Sequence, residues 1–175
     1  MKEGRPYKGI LYLGGIIVNG KVYVIEFNAR WGDPEAQVVV PRMKIDLFKM
    51  GLSVVRGDIK DLKIITDEKV YVAVAGVSKG YPQDYSRVKG KQIFGLEAAE
   101  TVEGVEIYGA GIKVKDKKNY ADGGRLFYVV GEGSDVTQAR EKAYRVMSEI
   151  SIEGNNLHYR KDIGWRDVKR LRKSS

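Results

Sequence analysis

Val24-Ile25-Glu26-Phe27-Asn28-Ala29-Arg30-Trp31-Gly32-Asp33-Pro34-Glu35 joins a strand to the start of a helix, and its reading decides the first part of the fold. Val22, Val24, Glu26 and Asn28 alternate with Tyr23, Ile25 and Phe27. That alternation places Glu26 and Asn28 on one strand face, with side chains roughly 7 Å apart. One carboxylate and one amide oxygen then point the same way. Hard cations such as Mg²⁺ take oxygen ligands of this kind, often only one or two from protein, with nucleotide phosphates and waters completing the shell. After the turn at Trp31-Gly32, Asp33 suits an N-cap, Pro34 the first helical position and Glu35 the first turn, so a helix is expected to begin here. The same residues also suit the solvated face of an amphipathic strand followed by a plain turn and cap.

Upstream, Lys8 to Val18 and Lys21 to Asn28 are β-rich runs separated by Asn19-Gly20, the dipeptide that favours a type I′ hairpin turn. Gly9, Gly14 and Gly15 interrupt the first run, which marks a bulge or the close approach of another group. A two-stranded hairpin is not stable by itself, so further strands or a helix must cover it.

Downstream, a short helix toward Val40 is expected, then a second from Pro41 through Arg42 to Gly51, with Met43, Leu47 and Met50 forming its buried stripe. The pattern changes to strands after Arg56-Gly57-Asp58. The boundary between two domains is therefore placed at residue 58, giving 1–58 and 59–175. In the second part the strands are Lys69 to Val77, Val105 to Val114 and Arg125 to Val130. A turn-forming cluster, Ser78-Lys79-Gly80-Tyr81-Pro82, ends the first, and a polar loop from Asp116 to Gly124 precedes the last. Gly123-Gly124-Arg125 opens directly onto that strand, where glycine backbone and one guanidinium suit an anion, though a flexible turn with a solvated arginine has the same sequence. A helix from about Asp135 to Ile150, capped by Ser134 or Asp135, turns Ala139, Ala143, Val146, Met147 and Ile150 inward.

Composition narrows the chemistry. The 175 residues contain no cysteine and one histidine, His158, which excludes disulfides and thiolate metal sites and argues against zinc. No apolar run reaches the ~20 residues that span a bilayer, and no signal-like segment follows Met1, so a cytoplasmic protein is expected. The formal net charge of +8 suits anionic partners such as nucleotides and sugar phosphates. Much of it sits in the tail, at Arg160, Lys161, Arg166, Lys169, Arg170, Arg172 and Lys173. An alternative function is therefore a basic α+β nucleic-acid-binding module without enzyme activity. Such modules interleave cations with exposed aromatics on a sheet, whereas here the cations crowd one terminal helix, so a nucleic-acid partner is not favoured.

The order of the segments carries more than any one of them. Tyr7-Lys8-Gly9-Ile10-Leu11-Tyr12, Val24 to Gln37, Arg42-Met43-Lys44 with Asp46-Leu47, Gly80-Tyr81-Pro82, Gly123-Gly124-Arg125, Ala139 with Ala143-Tyr144, and Tyr159-Arg160 with Asp162-Ile163-Gly164 follow one another along nearly the whole chain. In that order they resemble the C-terminal part of the glycinamide ribonucleotide synthetases, or phosphoribosylamine-glycine ligases, ATP-grasp enzymes of purine synthesis. The most specific match is Glu-Phe-Asn-x-Arg-aromatic-Gly-Asp-Pro-Glu.

The resemblance implies an α+β fold: the C-terminal part of an ATP-grasp lobe, built of the hairpin plus helices, followed by a small sheet-and-helix C-terminal domain. It implies that Glu26 and Asn28 hold Mg²⁺ or Mn²⁺ at the phosphates of ATP, the co-substrate, and that glycine and 5-phosphoribosylamine are joined through glycyl phosphate. Arg30 is the candidate for contacting the transferred phosphoryl group, Arg125 with Gly123 and Gly124 for the ribose 5-phosphate, and Asp33 for steering an amine. The adenine pocket and phosphate-binding lysines of the family would lie upstream of Met1. A separate N-terminal half of the ligase is accordingly the expected partner, and the chain alone is expected to be inactive. Trp31 stands where the family more often has Phe, and Gly109 to Ile112 fits the pattern poorly.

Overall fold

The computed structural model describes residues 4–99 and 101–174. The chain divides into two compact units, Met1–Asp67 and Glu68–Ser175, nine residues beyond the boundary expected from sequence. The intervening residues return to the first unit. Met43 bridges Thr66, Lys44 N–H donates to the Ile65 carbonyl at 2.8 Å, and Asp67 N–H donates to that of Arg42 at 2.9 Å. The Asp67 carboxylate also lies 3.5 Å from Lys44 Nζ and 3.8 Å from Arg42 Nε.

The first unit opens with the hairpin of β1 (Tyr12–Val18) and β2 (Lys21–Asn28). Asn19 and Gly20 have φ of 50° and 76°, the left-handed pair that a type I′ turn requires. The register runs from Val18 opposite Lys21 to Gly15 opposite Val24, then shifts, so that Gly14 faces Glu26 and Tyr12 faces Asn28. Ile25 is the extra residue of a bulge. It interrupts the simple alternation and places Glu26 and Asn28 on the face of Gly14 and Tyr12, apart from Val22 and Val24. Apolar side chains stand exposed along both strands, Ile17 at 72% and Ile25 at 70% among them.

The helices of this unit differ from their sequence reading. The segment Asp33–Glu35 is a turn with a cis Asp33-Pro34 bond, and α1 spans only Ala36–Val39. Asp33 does not cap it. The Gly32 carbonyl accepts from Ala36 N–H at 2.9 Å, closing the first turn from the backbone, while the Asp33 carboxylate accepts from Gln37 Nε2 at 3.3 Å. The expected helix from Arg42 is also displaced: Met43 is taken by its β-bridge to Thr66, and α2 runs over Leu47–Arg56. Asp46 starts α2 by accepting from the N–H groups of Phe48 and Lys49, and left-handed Gly57 ends it. Of the stripe Met43, Leu47 and Met50, only Met50 is buried, and Leu47 is exposed.

The second unit contains two four-stranded antiparallel sheets. Strands are β3 (Val70–Ser78), β4 (Gln92–Phe94), β5 (Val105–Gly109), β6 (Ile112–Lys115), β7 (Lys118–Ala121), β8 (Arg125–Gly133), β9 (Ser151–Ile152) and β10 (Leu157–His158). Their orders are β10-β3-β8-β5 and β6-β7-β4-β9. The expected strand Val105 to Val114 is two strands in different sheets, because the chain turns a corner at Ala110-Gly111. There Gly111 N–H donates to the Arg125 carbonyl at 2.9 Å, and a Cβ on Gly111 would lie only 2.6 Å from that oxygen. The polar run 116–124 is no simple loop either. Asp116 and Lys117 adopt φ of 50° and 58° and close a two-residue hairpin between β6 and β7.

Helices in this unit are α3 (Leu96–Ala99), α4 (Val136–Glu149) and α5 (Trp165–Ser174). Asp135 caps α4, accepting from Thr137 and Gln138 N–H at 2.7 and 3.0 Å. The buried face of α4 is Ala139, Ala143, Val146 and Met147, packed with Leu126, Phe127 and Val129 of β8 and Val72 and Val74 of β3. Glycine sets how closely α4 sits on β8: a Cβ on Gly131 would fall against the Ala139 carbonyl and 2.7 Å from Ala143 N.

Candidate functional site

In the first unit, the residues that could work on a cation and phosphates gather at the open end of the hairpin. Glu26 and Asn28 share one face of β2, opposite Gly14 and Tyr12. Gly14 leaves room there: a Cβ on it would stand 3.1 Å from Glu26 Cγ and 3.6 Å from Tyr12 Cε1. The Tyr12 ring also reaches Gly32, where a Cβ would be 2.8 Å from Tyr12 Cε2. From that position Tyr12 Oη donates to Glu35 Oε1 at 2.9 Å. This hydrogen bond, burial and the negative charges of Glu35 and Glu26 raise the phenol's pKa, while Arg30 opposes them. Tyr12 therefore stays protonated and ties the strand to the turn before α1.

Asn28 Nδ2 is buried and makes no hydrogen bond. A buried amide without a partner is expensive and marks a place completed by a ligand or by water. Carboxylate and amide oxygens are the donors that Mg²⁺ or Mn²⁺ prefers. Among the described residues, no three of His, Cys, Asp or Glu converge as a metal cage. The pair thus suits a cation that takes its remaining ligands from phosphate and water.

Arg30 and Asp33 are less committed to this centre. Arg30 Nη1 donates to the carbonyl of its neighbour Trp31 at 2.7 Å. Asp33 holds Gln37. Sequence reasoning left Tyr12 and Glu35 without a role, although both lie in the quoted motifs. Counting back from Asn19-Gly20 without a bulge sets Tyr12 against Phe27; only the shift at Gly14/Gly15 sets it against Asn28.

In the second unit, Gly123-Gly124-Arg125 lies where the turn after β7 enters β8. Buried Ser78 fastens this turn, its Oγ donating to the Gly123 carbonyl and its N–H to that of Gly124, both at 2.8 Å. The exposed Arg125 guanidinium is directed by two phenols: Nε donates to Tyr81 Oη at 3.0 Å and Nη1 to Tyr128 Oη at 3.4 Å. Hydrogen bonds to Tyr128 and Tyr81 raise the arginine's pKa further, so it is a permanent cation. The Tyr81 ring packs tilted against Tyr85, with centroids 5.9 Å apart. It also lies on Gly124, where a Cβ would come within 2.7 Å of its Cε2. Tyr81 was visible beforehand in Gly80-Tyr81-Pro82, but its contact with Arg125 spans 44 residues of sequence.

The basic tail forms α5. Trp165, Arg166, Lys169, Arg170 and Lys173 line one open, exposed side of it, with the Arg166 guanidinium 5.5 Å from the Trp165 ring centre. Among the described residues, no helix is long and apolar enough to cross a membrane.

Comparison with known proteins adds independent findings. The family model described as phosphoribosylglycinamide synthetase, C domain, matches residues 71–166, and that of the ATP-grasp (A) domain of the same synthetase matches residues 1–36. A phosphoribosylamine-glycine ligase of Caldanaerobacter subterraneus subsp. tengcongensis is 43% identical over 162 residues, covering 93% of this chain and 37% of the relative. A human trifunctional purine biosynthetic protein, adenosine-3, is 37% identical over 168 residues, covering 95% of this chain and 16% of the relative. The crystal structure of the phosphoribosylamine-glycine ligase from Thermotoga maritima matches with a TM-score of 0.72 and 33% identity, over 92% of this chain and 38% of that one. The chain thus spans little more than a third of the single-function ligases it matches.

Proposed function

We propose, from the premise that this chain belongs to the phosphoribosylglycinamide synthetase family, that it supplies the metal-binding hairpin and C-terminal domain of an ATP-dependent ligase joining glycine to 5-phosphoribosylamine in purine biosynthesis. Residues before the boundary belong to the ATP-grasp domain and those after it to the synthetase C domain. The observation that carries the reading is the pairing of Glu26 with Asn28 on one strand face, where a carboxylate and an amide oxygen can share one cation while the unpartnered Asn28 Nδ2 is left to donate to phosphate or water.

In the proposed reaction a glycine carboxylate oxygen attacks the γ-phosphorus of ATP and the bond to ADP breaks, giving glycyl phosphate. The amine nitrogen of phosphoribosylamine then attacks the acyl carbon, loses a proton and expels phosphate. Glu26 and Asn28 would hold Mg²⁺ or Mn²⁺, which neutralises phosphate charge as it develops. Arg30 contacts the transferred phosphoryl group once it leaves the Trp31 carbonyl. Arg125, at the Gly123-Gly124 turn, recognises the ribose 5-phosphate, for which a planar guanidinium is better shaped than an ammonium. Asp33 steers the incoming amine. Nothing in these assignments requires a membrane, and a cytoplasmic site of action is part of the proposal.

A separate N-terminal half of the ligase is the proposed partner. Its support is the first unit's surface: both strands of the hairpin expose apolar side chains, and Met50 is the one buried apolar side chain among the unit's described residues. An unsheltered apolar ribbon with open edges calls for pairing with further chain.

The test is phosphate release dependent on ATP, glycine and phosphoribosylamine. The chain alone should be inactive, and addition of the N-terminal half should restore activity. Glu26→Gln or Asn28→Ala in that mixture should each lower the rate by roughly 10²-fold or more. Full activity of the 175 residues alone would refute the partner. An active mixture indifferent to Glu26→Gln would refute the metal assignment.

A further inference from the structure

Arg125 is held by two phenols, a different grip from that on Arg160 and Arg170, and from that on Arg140, whose Nε and Nη2 donate to the Ile163 and Lys161 carbonyls at 2.9 Å. Arg160 is gripped by a carboxylate, with Nε and Nη2 donating to the two oxygens of Asp162 at 2.9 and 2.7 Å, and Arg170 by Asp167 at 2.6 Å. Those partners cancel the charge they orient. The phenols of Tyr81 and Tyr128 accept hydrogen bonds from Arg125 as neutral groups, and so direct the guanidinium without adding a negative charge beside it. Tyr128 is itself immobilised, buried in β8, and Tyr81 is wedged between Tyr85 and the backbone of Gly124. The wedge explains the second glycine of Gly123-Gly124-Arg125: any Cβ at Gly124 would occupy the space of the Tyr81 ring.

We infer that Tyr81 is a positioning residue for the anion-recognising Arg125, holding the guanidinium plane preset toward a phosphate monoester with Tyr128 as the second, buried stop. The inference rests on the proposed assignment of Arg125 to the sugar phosphate and adds the device that makes it selective. A guanidinium free to swing must be ordered when its ligand arrives, and ordering it in advance removes that cost from binding. It also gives Tyr81 and Gly124, 43 residues apart in sequence, one shared task, since the ring reaches Arg125 only where position 124 has no Cβ.

The experiment uses the full 175-residue chain, isotopically labelled, with ribose 5-phosphate as the probe. Two quantities are read by NMR: solvent exchange of the Arg125 Nε–H and the dissociation constant of the probe. In the parent, the Nε–H should exchange more slowly than those of exposed arginines. Tyr81→Phe keeps the ring on Gly124 but removes Oη; it should restore fast exchange and weaken the probe by about tenfold. Arg125→Ala should weaken it by roughly a hundredfold. Gly124→Ala, which leaves Oη present but displaces the ring, should mimic Tyr81→Phe in both readouts.

Unchanged affinity in Tyr81→Phe, with binding lost in Arg125→Ala, would overturn the positioning role and leave the sugar-phosphate assignment standing. Equal affinity of parent and Arg125→Ala, or no binding by any of them, would overturn the assignment and the inference built on it. Fast Nε–H exchange in the parent would overturn the inference directly.

Discussion

Replacing Gly131 by alanine adds one methyl group where α4 lies on β8, and the structure sets its cost. The new carbon would fall against the Ala139 carbonyl, 2.7 Å from Ala143 N and 3.2 Å from Ala143 Cβ. The first two are backbone atoms of the helix, so no rotamer change relieves the clash. Ordinary contact needs separations near 3.5 Å, and α4 would have to retreat by about 1 Å from a face on which Ala139, Ala143, Val146 and Met147 are fully buried. Overpacking of this kind costs about 1–3 kcal/mol, and rigid backbone on both sides argues for the upper end. For a unit of roughly 100 residues, about 3 kcal/mol corresponds to a fall in Tm of about 12 °C or more.

Gly51→Ala is the control. Gly51 lies inside α2 without positive φ, and a Cβ there meets nothing within 4 Å. The same methyl should therefore stabilise its own helix by up to about 1 kcal/mol and leave the melting of the second unit unchanged. Differential scanning calorimetry or thermal melting by circular dichroism reads both. A Gly131→Ala transition within about 2 °C of the parent would refute the reasoning, because it would mean that the helix is not seated on the glycine backbone.

Two further outcomes concern charge. Glu132 on β8 accepts from Lys69 Nζ at 2.6 Å, and this hydrogen bond with the cation's charge holds its pKa below the ordinary 4.5, against the opposing effect of burial. A lowered folded-state value means stabilisation that is fully present above the unfolded-state pKa and lost as pH falls through the folded one; Glu132→Gln should remove that part of the acid sensitivity, at less than about 1 kcal/mol for so exposed a pair. Urea denaturation of parent and variant from pH 7 to pH 3 tests it, and a stability gap that widens on acidification would contradict it. On α5, the cations and Trp165 line an open, solvent-exposed hollow on a single helix, so binding to single-stranded RNA or DNA should be weak and fall steeply with added salt; nanomolar, sequence-selective binding at physiological salt would favour the nucleic-acid reading.

What the sequence determined by itself is local or periodic. Asn19-Gly20 specifies its hairpin because both positions tolerate the left-handed conformation that the turn demands. Asp135 followed by inward residues at Ala139, Ala143, Val146 and Met147 specifies α4, since cap and period act within a few residues. The shared face of Glu26 and Asn28 follows from strand geometry, and the order of motifs pointed to the family that the comparisons also find. Tertiary structure decided the features that depend on partners distant in sequence. Asp33 looked like a cap, but the Gly32 carbonyl closes the turn and Gln37 takes the carboxylate. Met43 looked like part of a helical stripe until its bridge to Thr66 drew that segment out and carried the unit's end to Asp67. Val105 to Val114 looks like one strand because the corner at Ala110-Gly111 is made by main-chain contacts with Arg125, which leave no trace in hydropathy. The surroundings of Glu26 and Arg125 were hidden for the same reason: Tyr12 reaches its place only through a bulge that shifts the register, and Tyr81 only through a fold that lays its ring on Gly124.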